Sequence, residues 1–225
     1  MPEHLHQLLD HEYELRNLSR DLNAALATPL PEELAELNLS RNFHQQITTL
    51  YDLLSQVGGL LNMKVASLGL GGWDSNKNQK QDIEPLLASL FGENQGLHQL
   101  YRHLGSTAAN NLVVSLNGEF GRQILSNGDR GTDHGEGNLF ILLGSPVKGG
   151  VYGELFPERE IEVLKNRKVN TPDIEGRTSI EHVFKALADW SLDRDSGTQV
   201  ITRPLSDLSL TPREAGIDFN ELISG

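Results

Sequence analysis

The sequence contains no cysteine and few basic or aromatic residues. Without cysteine, the chain forms no disulfide and offers no thiolate as a zinc ligand or nucleophile, so His, Asp, Glu, Ser and Thr must carry any chemistry. Its 19 Lys and Arg residues are scattered and outnumbered by 31 Asp and Glu residues, which gives a formal net charge of -12. This distribution offers no basic surface for a phosphate backbone, and nucleic acid is not an expected partner.

Long apolar runs are also missing. The run from Leu139 to Leu143 is far shorter than the roughly 20 residues that a membrane-spanning helix needs. The N-terminus has no basic segment followed by an apolar stretch, so it does not resemble an export signal. We therefore expect no membrane span. With 225 residues, 37% of them hydrophobic, the chain is long enough for a full core, and a single α/β domain over residues 1–225 is predicted.

Residues 1–57 predict a helical N-terminal segment. Leucines between Leu5 and Leu26 recur at three- and four-residue spacing, which places them on one helix face. A turn with two prolines follows at 28–31, and a second apolar stripe runs from Leu34 to Val57 before two glycines. This pattern predicts a helical pair, followed by a sheet-containing part over residues 58–225.

Three apolar runs predict strands in the second part, at 65–70, 111–117 and 138–144. A helix from Asp82 to Leu104 is predicted between the first two runs, although Gly92 and Gly96 weaken it. Residues 148–173 are predicted to be an irregular surface excursion, and capping boxes at 178–181 and 211–214 predict two further helices. This order favours an α/β fold with a mostly parallel sheet flanked by helices.

Two polar loops contain candidate site residues. Asp133 and His134 place a carboxylate and an imidazole on adjacent residues of a flexible, glycine-rich loop, where the pair could bind one divalent cation. Asp in such loops also commonly bonds the backbone just after it, which is the structural alternative. Asp74 follows the first predicted strand, where a carboxylate projects into the crevice above a sheet. Its alternative role is in an N-cap or a turn.

Four motifs, in order, resemble those of the bacterial domain of unknown function 1501 family. They are Gly-Gly-Trp-Asp-Ser-Asn-Lys-Asn-Gln at 71–79, Asn-Gly-Glu-Phe-Gly-Arg at 117–122, Asn-Gly-Asp-Arg-Gly-Thr-Asp-His-Gly at 127–135 and Val-Lys-Gly-Gly-Val-Tyr-Gly at 147–153. The resemblance runs from Gln45 to Trp190. That family is placed with the alkaline phosphatase and sulfatase superfamily.

The resemblance implies an alkaline phosphatase-like sheet, partial in this chain, with one or two divalent metals for the hydrolysis of phosphate or sulfate esters. By position, Asp74, Asp133 and His134 match the metal ligands of the family. The implied cofactor is zinc, manganese, magnesium or calcium, and the implied substrate is a small anionic ester. Glu119 and Arg122 match a family signature; Arg122 could orient an anionic group or form an ordinary salt bridge.

Two departures from the family pattern bear on function. The first loop of the family typically reads Asp-Thr-His, whereas this chain has Asp74-Ser75-Asn76. An amide oxygen such as that of Asn76 is a poorer zinc ligand than imidazole but is acceptable for calcium or magnesium, so a first metal site would be lost or changed in specificity. Family members are also longer, so the chain is expected to be the C-terminal half only, with the nucleophile elsewhere.

Three hypotheses of function follow from these patterns. The first is a metal-dependent phosphate or sulfate ester hydrolase, incomplete or degenerate, and the second is a non-catalytic binding or assembly module that keeps the superfamily sheet. The third is a subunit that needs a partner chain or oligomer. We expect little or no catalysis from this chain alone. His182 is expected to be a surface or packing residue of its predicted helix. Because family members often carry a twin-arginine signal, the resemblance is compatible with a periplasmic parent.

Overall fold

The computed structural model describes residues 3–56, 61–153, 158–166, 179–192 and 222–223. About 50% of these residues are helical and about 12% are in strands, which confirms a mixture of helix and sheet. The chain divides into two compact units. The first comprises Met1–Leu70 and Leu86–Ala109, and the second comprises Gly71–Pro85 and Asn110–Gly225.

The first unit is helical. Its helices are α1 (Glu3–Leu26), α2 (Glu32–Ala35), α3 (Arg41–Ser55), the later part of α4 (Gln79–Phe91), α5 (Gly96–His103) and most of α6 (Ser106–Asn110). The second helix predicted from Leu34 onward is wrong in its continuity, because the chain leaves helical geometry after Ala35. Ser40 then has an extended ψ of 140° and is the N-cap residue of α3.

The core of the first unit lies where α5 packs on α2 and α3. Its apolar members recur at helical spacing, so each short helix presents one buried face. They are Leu34, Leu37, Phe43, Ile47, Leu50, Tyr51, Leu90, Leu97, Leu100 and Leu104. Leu34 and Leu100 are fully inaccessible to solvent.

The helix predicted from Asp82 to Leu104 is two helices, α4 and α5. Asn94 adopts a left-handed conformation with φ of 60° between them, which a continuous helix does not allow. A Cβ atom on Gly96 would lie 2.7 Å from the carbonyl oxygen of Ser89, so only glycine permits the observed approach of the two helices. The two glycines that weaken the sequence pattern therefore mark the break.

The strand predicted at 65–70 is wrong. Residues 61–75 belong to no helix or strand, and Val65 is 74% exposed. Here a side chain replaces a neighbouring strand as the partner of the backbone. Gln46 on α3 accepts a hydrogen bond from the amide of Gly69 at 2.6 Å and donates to the carbonyl oxygen of Gly69 at 3.1 Å.

The described residues of the second unit form four short strands: β1 (Val114–Asn117), β2 (Gly121–Ser126), β3 (Thr132–Gly135) and β4 (Phe140–Leu143). The strands predicted at 111–117 and 138–144 are thus confirmed as β1 and β4. They pair antiparallel, with Val114 opposite Leu143, and β2 pairs antiparallel with β3. A parallel pair would need a crossover, whereas the chain between β1 and β4 forms the β2–β3 hairpin and returns antiparallel. The mostly parallel sheet of the prediction is not seen in the described part of the chain.

The part of the second unit that the structure describes also contains the helices α7 (Glu158–Lys165) and α8 (Ile180–Ser191). Helix α7 corrects the prediction of an irregular excursion at 148–173, of which residues 154–157 and 167–173 lie outside the described ranges. Helix α8 confirms the helix predicted after the first capping box, and His182 lies on it. Its Phe184 contacts Phe140 of β4 edge to face, with ring centroids 5.6 Å apart. The second capping box, at 211–214, lies outside the described residues. None of the described helices is both long and apolar enough to cross a membrane.

Candidate functional site

The candidate site is built by the β2–β3 hairpin and the loop that precedes α4. Arg122 on β2 pairs directly with His134 on β3, so both side chains emerge on the same face of the hairpin. Asp133 and His134 therefore lie in a strand, which corrects the prediction of a flexible loop. Adjacent residues of a strand point to opposite faces, and the two side chains accordingly have different partners.

The turn of the hairpin follows from its sequence. Residues 127–131 read Asn-Gly-Asp-Arg-Gly, and the backbone of Gly128 and Arg130 is left-handed, with φ of 92° and 61°. The amide of Asp129 donates to Oδ1 of Asn127 at 3.0 Å, a local bond that asparagine commonly supplies in turns. The amide of Asn127 donates to the carbonyl oxygen of Gly131, also at 3.0 Å, and closes the turn.

This turn is bonded to the loop before α4. The amides of Asn78 and Gln79 donate to the carbonyl oxygens of Asp129 and Arg130 at 3.1 and 3.0 Å. The amide of Gln79, the first of α4, thereby finds a partner in the hairpin. Side chains add to the connection, because Nδ2 of Asn127 donates to the carbonyl oxygen of Asn76 at 2.8 Å. The hairpin thus fixes the position of the Asp74-Ser75-Asn76 segment.

Gly131 is required for this contact. A Cβ atom at residue 131 would lie 2.3 Å from the carbonyl oxygen of Asn76. Gly121 has a similar role at the other end of the hairpin, where a Cβ atom would lie 1.9 Å from the carbonyl oxygen of Gly137. The glycines of the motifs therefore allow close backbone approach.

Asp74 is the centre of the resulting cluster. Its Oδ1 atom accepts hydrogen bonds from Nε2 of His134 at 3.0 Å, from the guanidinium of Arg122 and, more weakly, from Nδ2 of Asn76 at 3.4 Å. The pKa of Asp74 is below its ordinary value, mainly because His134 hydrogen-bonds to the carboxylate. Desolvation raises this pKa, whereas the hydrogen bond from Arg122 lowers it further. Asp74 and His134 are half-exposed, so the cluster is open to solvent.

Arg122 joins three parts of the site. Besides Asp74, its guanidinium donates to Oδ1 of Asn76 at 3.2 Å and to the carbonyl oxygen of Thr132 on β3. The side chain is only 17% exposed. Of the two roles that the sequence left open for Arg122, the geometry provides the salt bridge.

Phe120 contacts both His134 and Arg122. Its ring stacks on the imidazole of His134 with centroids 3.8 Å apart, and the guanidinium carbon of Arg122 lies 5.6 Å from the Phe120 centroid. Sequence analysis did not single out this residue. The second motif could have predicted its contact with Arg122, because residues 120 and 122 lie on the same face of an extended chain.

The remaining predicted site residues lie apart from this cluster or at its edge. Asp133 accepts a hydrogen bond from Nδ2 of Asn127 at 3.0 Å, and the same Nδ2 atom donates to the carbonyl oxygen of Asn76 at the edge of the cluster. Glu119 is exposed just before β2, and within the described ranges no hydrogen bond connects it to the cluster. Ser75 is 6% exposed, and its Oγ atom is buried without a hydrogen-bond partner among the described residues. This serine was also missed, and its type alone gave no signal.

The donor set can be compared with the needs of a divalent cation. Oδ1 of Asp74 and Nε2 of His134 are close enough to share one ion at ordinary ligand distances. However, the same Oδ1 atom and the amide oxygen of Asn76 both accept from the Arg122 guanidinium. In the described residues, no three His, Cys, Asp or Glu side chains are grouped as metal ligands. As arranged, the donor set does not fit a divalent cation.

Comparison with known proteins identifies the family. A family model described as "Protein of unknown function (DUF1501)" matches residues 61–177, which is just over half of the chain. The match contains all four motifs, including the residues of the candidate site. This chain belongs to the domain of unknown function 1501 family. Neither a curated protein nor a solved structure matches it.

Proposed function

We propose that this chain is a non-catalytic member of its family, derived from metal-dependent phosphate or sulfate ester hydrolases and acting as a binding or assembly module. The alkaline phosphatase and sulfatase superfamily, and the correspondence to its C-terminal half, are part of this proposal. The observation that carries it is the separation of Asp133 from His134. Asp133 accepts a hydrogen bond from Asn127, whereas His134 contacts Asp74, and adjacent residues of a strand alternate between its two faces.

The separation matters because a hydrolytic metal centre needs several ligands that converge on one ion. A chelating pair on adjacent residues would require both side chains on one side of the backbone, which the alternation of a strand opposes. Asn76 supports the same conclusion, because it supplies a neutral amide where the family typically has an imidazole ligand. Binding of an anionic ester without turnover, or recruitment of a partner chain, remains compatible with this arrangement.

One observation favours a second candidate, an active ester hydrolase. Asp74 and His134 come from two different motifs, lie 3.0 Å apart and are half-exposed, so a substrate can reach them. Carboxylate–imidazole pairs of this kind serve in acid–base catalysis and in metal binding. This candidate predicts turnover of phosphate or sulfate esters that depends on His134.

Turnover assays separate the two candidates. The purified full chain would be assayed with p-nitrophenyl phosphate, bis-p-nitrophenyl phosphate and p-nitrophenyl sulfate, with zinc, manganese, magnesium or calcium added in turn. His134→Ala tests the site, and His6→Ala on α1 is the matched control. We expect no turnover above background from any of the three proteins. Turnover that His134→Ala abolishes and His6→Ala retains would establish the hydrolase instead.

A partner is tested in the same preparation. If the chain is an assembly module, the tagged full chain should co-purify with one defined protein at a fixed ratio, as measured by mass spectrometry and light scattering. Asp74→Asn and His134→Ala would show whether the candidate site takes part in that contact.

A further inference from the structure

One cation in the described structure is bonded to each part of the candidate site. The Arg122 guanidinium contacts Asp74 and Asn76 of the first motif and the Thr132 carbonyl oxygen of the third, while Arg122 itself belongs to the second. His134 lies beside it as its cross-strand neighbour. Three of the four family motifs, one of them about 40 residues before the other two, therefore meet on one side chain.

We propose that Arg122 is the resident cation of this cluster: its guanidinium holds Asp74 and Asn76 beside His134 in the place of a divalent ion, and its removal opens the site to such an ion. The inference rests on the proposed function and deepens it, since it names the side chain that holds the candidate site together.

Charge balance is the first argument. Asp74 is the one carboxylate that contacts Arg122 among the described residues, and the pair is neutral. Asn76 and the Thr132 carbonyl add oxygen atoms without charge. A divalent cation bound to Asp74 would therefore face the positive charge of Arg122 with no second carboxylate to balance it. Removing that charge leaves one carboxylate, one imidazole and one amide oxygen with their bonding directions available to a metal.

Bonding geometry is the second argument. A guanidinium is a planar fork with five donors, and here the fork reaches oxygen atoms on both Asp74 and Asn76. These are the two residues whose counterparts in the family motif would be metal ligands. Lysine offers one compact charge and cannot reproduce the fork, so the Arg122→Lys variant separates the contribution of charge from that of geometry.

Burial is the third argument. Arg122 is 17% exposed, whereas Asp74 is 50% and His134 49% exposed. The Arg122 side chain is thus less exposed than the two side chains beside it, and its guanidinium carbon lies 5.6 Å from the Phe120 centroid. A cation in this position is part of the local structure, because its loss would take a hydrogen-bond donor from Oδ1 of Asn76 and from the carbonyl oxygen of Thr132.

Cobalt binding tests the proposal. The full-length wild type, Arg122→Gln, Arg122→Gln/His134→Ala and the control Arg130→Gln would be titrated with Co²⁺, followed by visible absorption and calorimetry. Arg130 is the matched control because its backbone carbonyl, not its side chain, bonds α4. We expect Arg122→Gln to bind Co²⁺ at least about tenfold more tightly than wild type does. We also expect the double variant Arg122→Gln/His134→Ala to lack the Co²⁺ ligand-field spectrum that Arg122→Gln shows.

Thermal stability provides the second readout. Without metal, Arg122→Gln should melt at a lower temperature than wild type and Arg130→Gln, and Co²⁺ should recover part of that loss. Wild type that binds Co²⁺ as tightly as Arg122→Gln, or an Arg122→Gln variant that gains no affinity, would overturn the proposal.

If Arg122→Gln does not fold, Arg122→Lys decides the question. It keeps the charge without the fork, so it should be less stable than wild type yet bind Co²⁺ no more tightly. Tighter binding by Arg122→Lys would show that charge does not exclude the ion and would overturn the proposal. Ester turnover by wild type would instead contradict the proposed function, and it is measured in a separate assay.

Discussion

Nε2 of His134 lies 3.0 Å from Oδ1 of Asp74, although 60 positions separate the two residues in the chain. The contact depends on backbone bonds made elsewhere, between the hairpin turn at 127–131 and the amides of Asn78 and Gln79. Those backbone bonds hold the two motifs together without using the side chains of Asp74, Arg122 or His134. The stability of the hairpin and the integrity of the site should therefore change together.

The Gly121→Ala variant tests this dependence. Its Cβ atom would lie 1.9 Å from the carbonyl oxygen of Gly137, and backbone atoms must move to accommodate it. We expect a loss of about 1–3 kcal/mol in the free energy of unfolding, measured by urea denaturation. Gly149→Ala is the control, because nothing lies within 4 Å of its added Cβ atom. Equal stability of the two variants would contradict the described hairpin.

The Asp74→Asn variant should alter the acid dependence of stability. The pKa of Asp74 is lower in the folded chain than its ordinary value of 3.8, because His134 and Arg122 hydrogen-bond to the ionised form. The unfolded chain therefore binds the proton more tightly, and this contribution is present above pH 3.8 and lost as the pH falls through the folded pKa. The stability difference between wild type and Asp74→Asn should shrink over that interval.

Urea denaturation at a series of acid pH values measures this difference. Asp10→Asn, which changes an exposed carboxylate on α1, is the control. If the difference between wild type and Asp74→Asn stays constant with pH, the hydrogen bonds of Asp74 do not stabilise its ionised form.

The Asp52→Asn variant should be more stable than wild type at neutral pH. Partial burial raises the pKa of Asp52, so its charge costs free energy once it ionises, and Asp52 also lies in the last turn of α3, where the helix dipole disfavours negative charge. The contribution of Asp52 to the free energy of unfolding of the wild type therefore falls as the pH rises from 3.8 to the raised pKa of Asp52. We expect a gain of about 0.3–1 kcal/mol at low salt, measured by thermal unfolding. A gain that is just as large below pH 3.8 would exclude the charge as its cause.

The Leu100→Ala variant should disrupt the first unit. Leu100 on α5 is fully buried in the helical core, and its truncation leaves a cavity. We expect a loss of about 2–5 kcal/mol in the free energy of unfolding. Leu15→Ala on α1, where the side chain is 65% exposed, should change it by less than about 0.5 kcal/mol. Comparable losses would place Leu15 in a buried contact of the folded protein.

The sequence by itself determined the helical character of the N-terminal segment, the strands β1 and β4, helix α8 and the family, because each depends on local periodicity or on an ordered set of motifs. Local patterns failed where a distant partner decides the structure. The apolar run at 65–70 resembles a strand, but Gln46 on α3 bonds its backbone at Gly69. The turn-rich stretch around Asp133 resembles a loop, but β2 pairs with it and turns it into a strand.

Only the tertiary structure decided which site residues act together. Asp74, Arg122 and His134 were all candidates, but spacing alone could not show that one carboxylate oxygen bonds both of the others. Nor could it show that Asp133 bonds Asn127 while His134 bonds Asp74, since that follows from the pairing of β3 and the alternation of a strand. Residue types limit the chemistry that a site can perform. The contacts of those residues in three dimensions determine that Arg122 bonds the other side chains of this site.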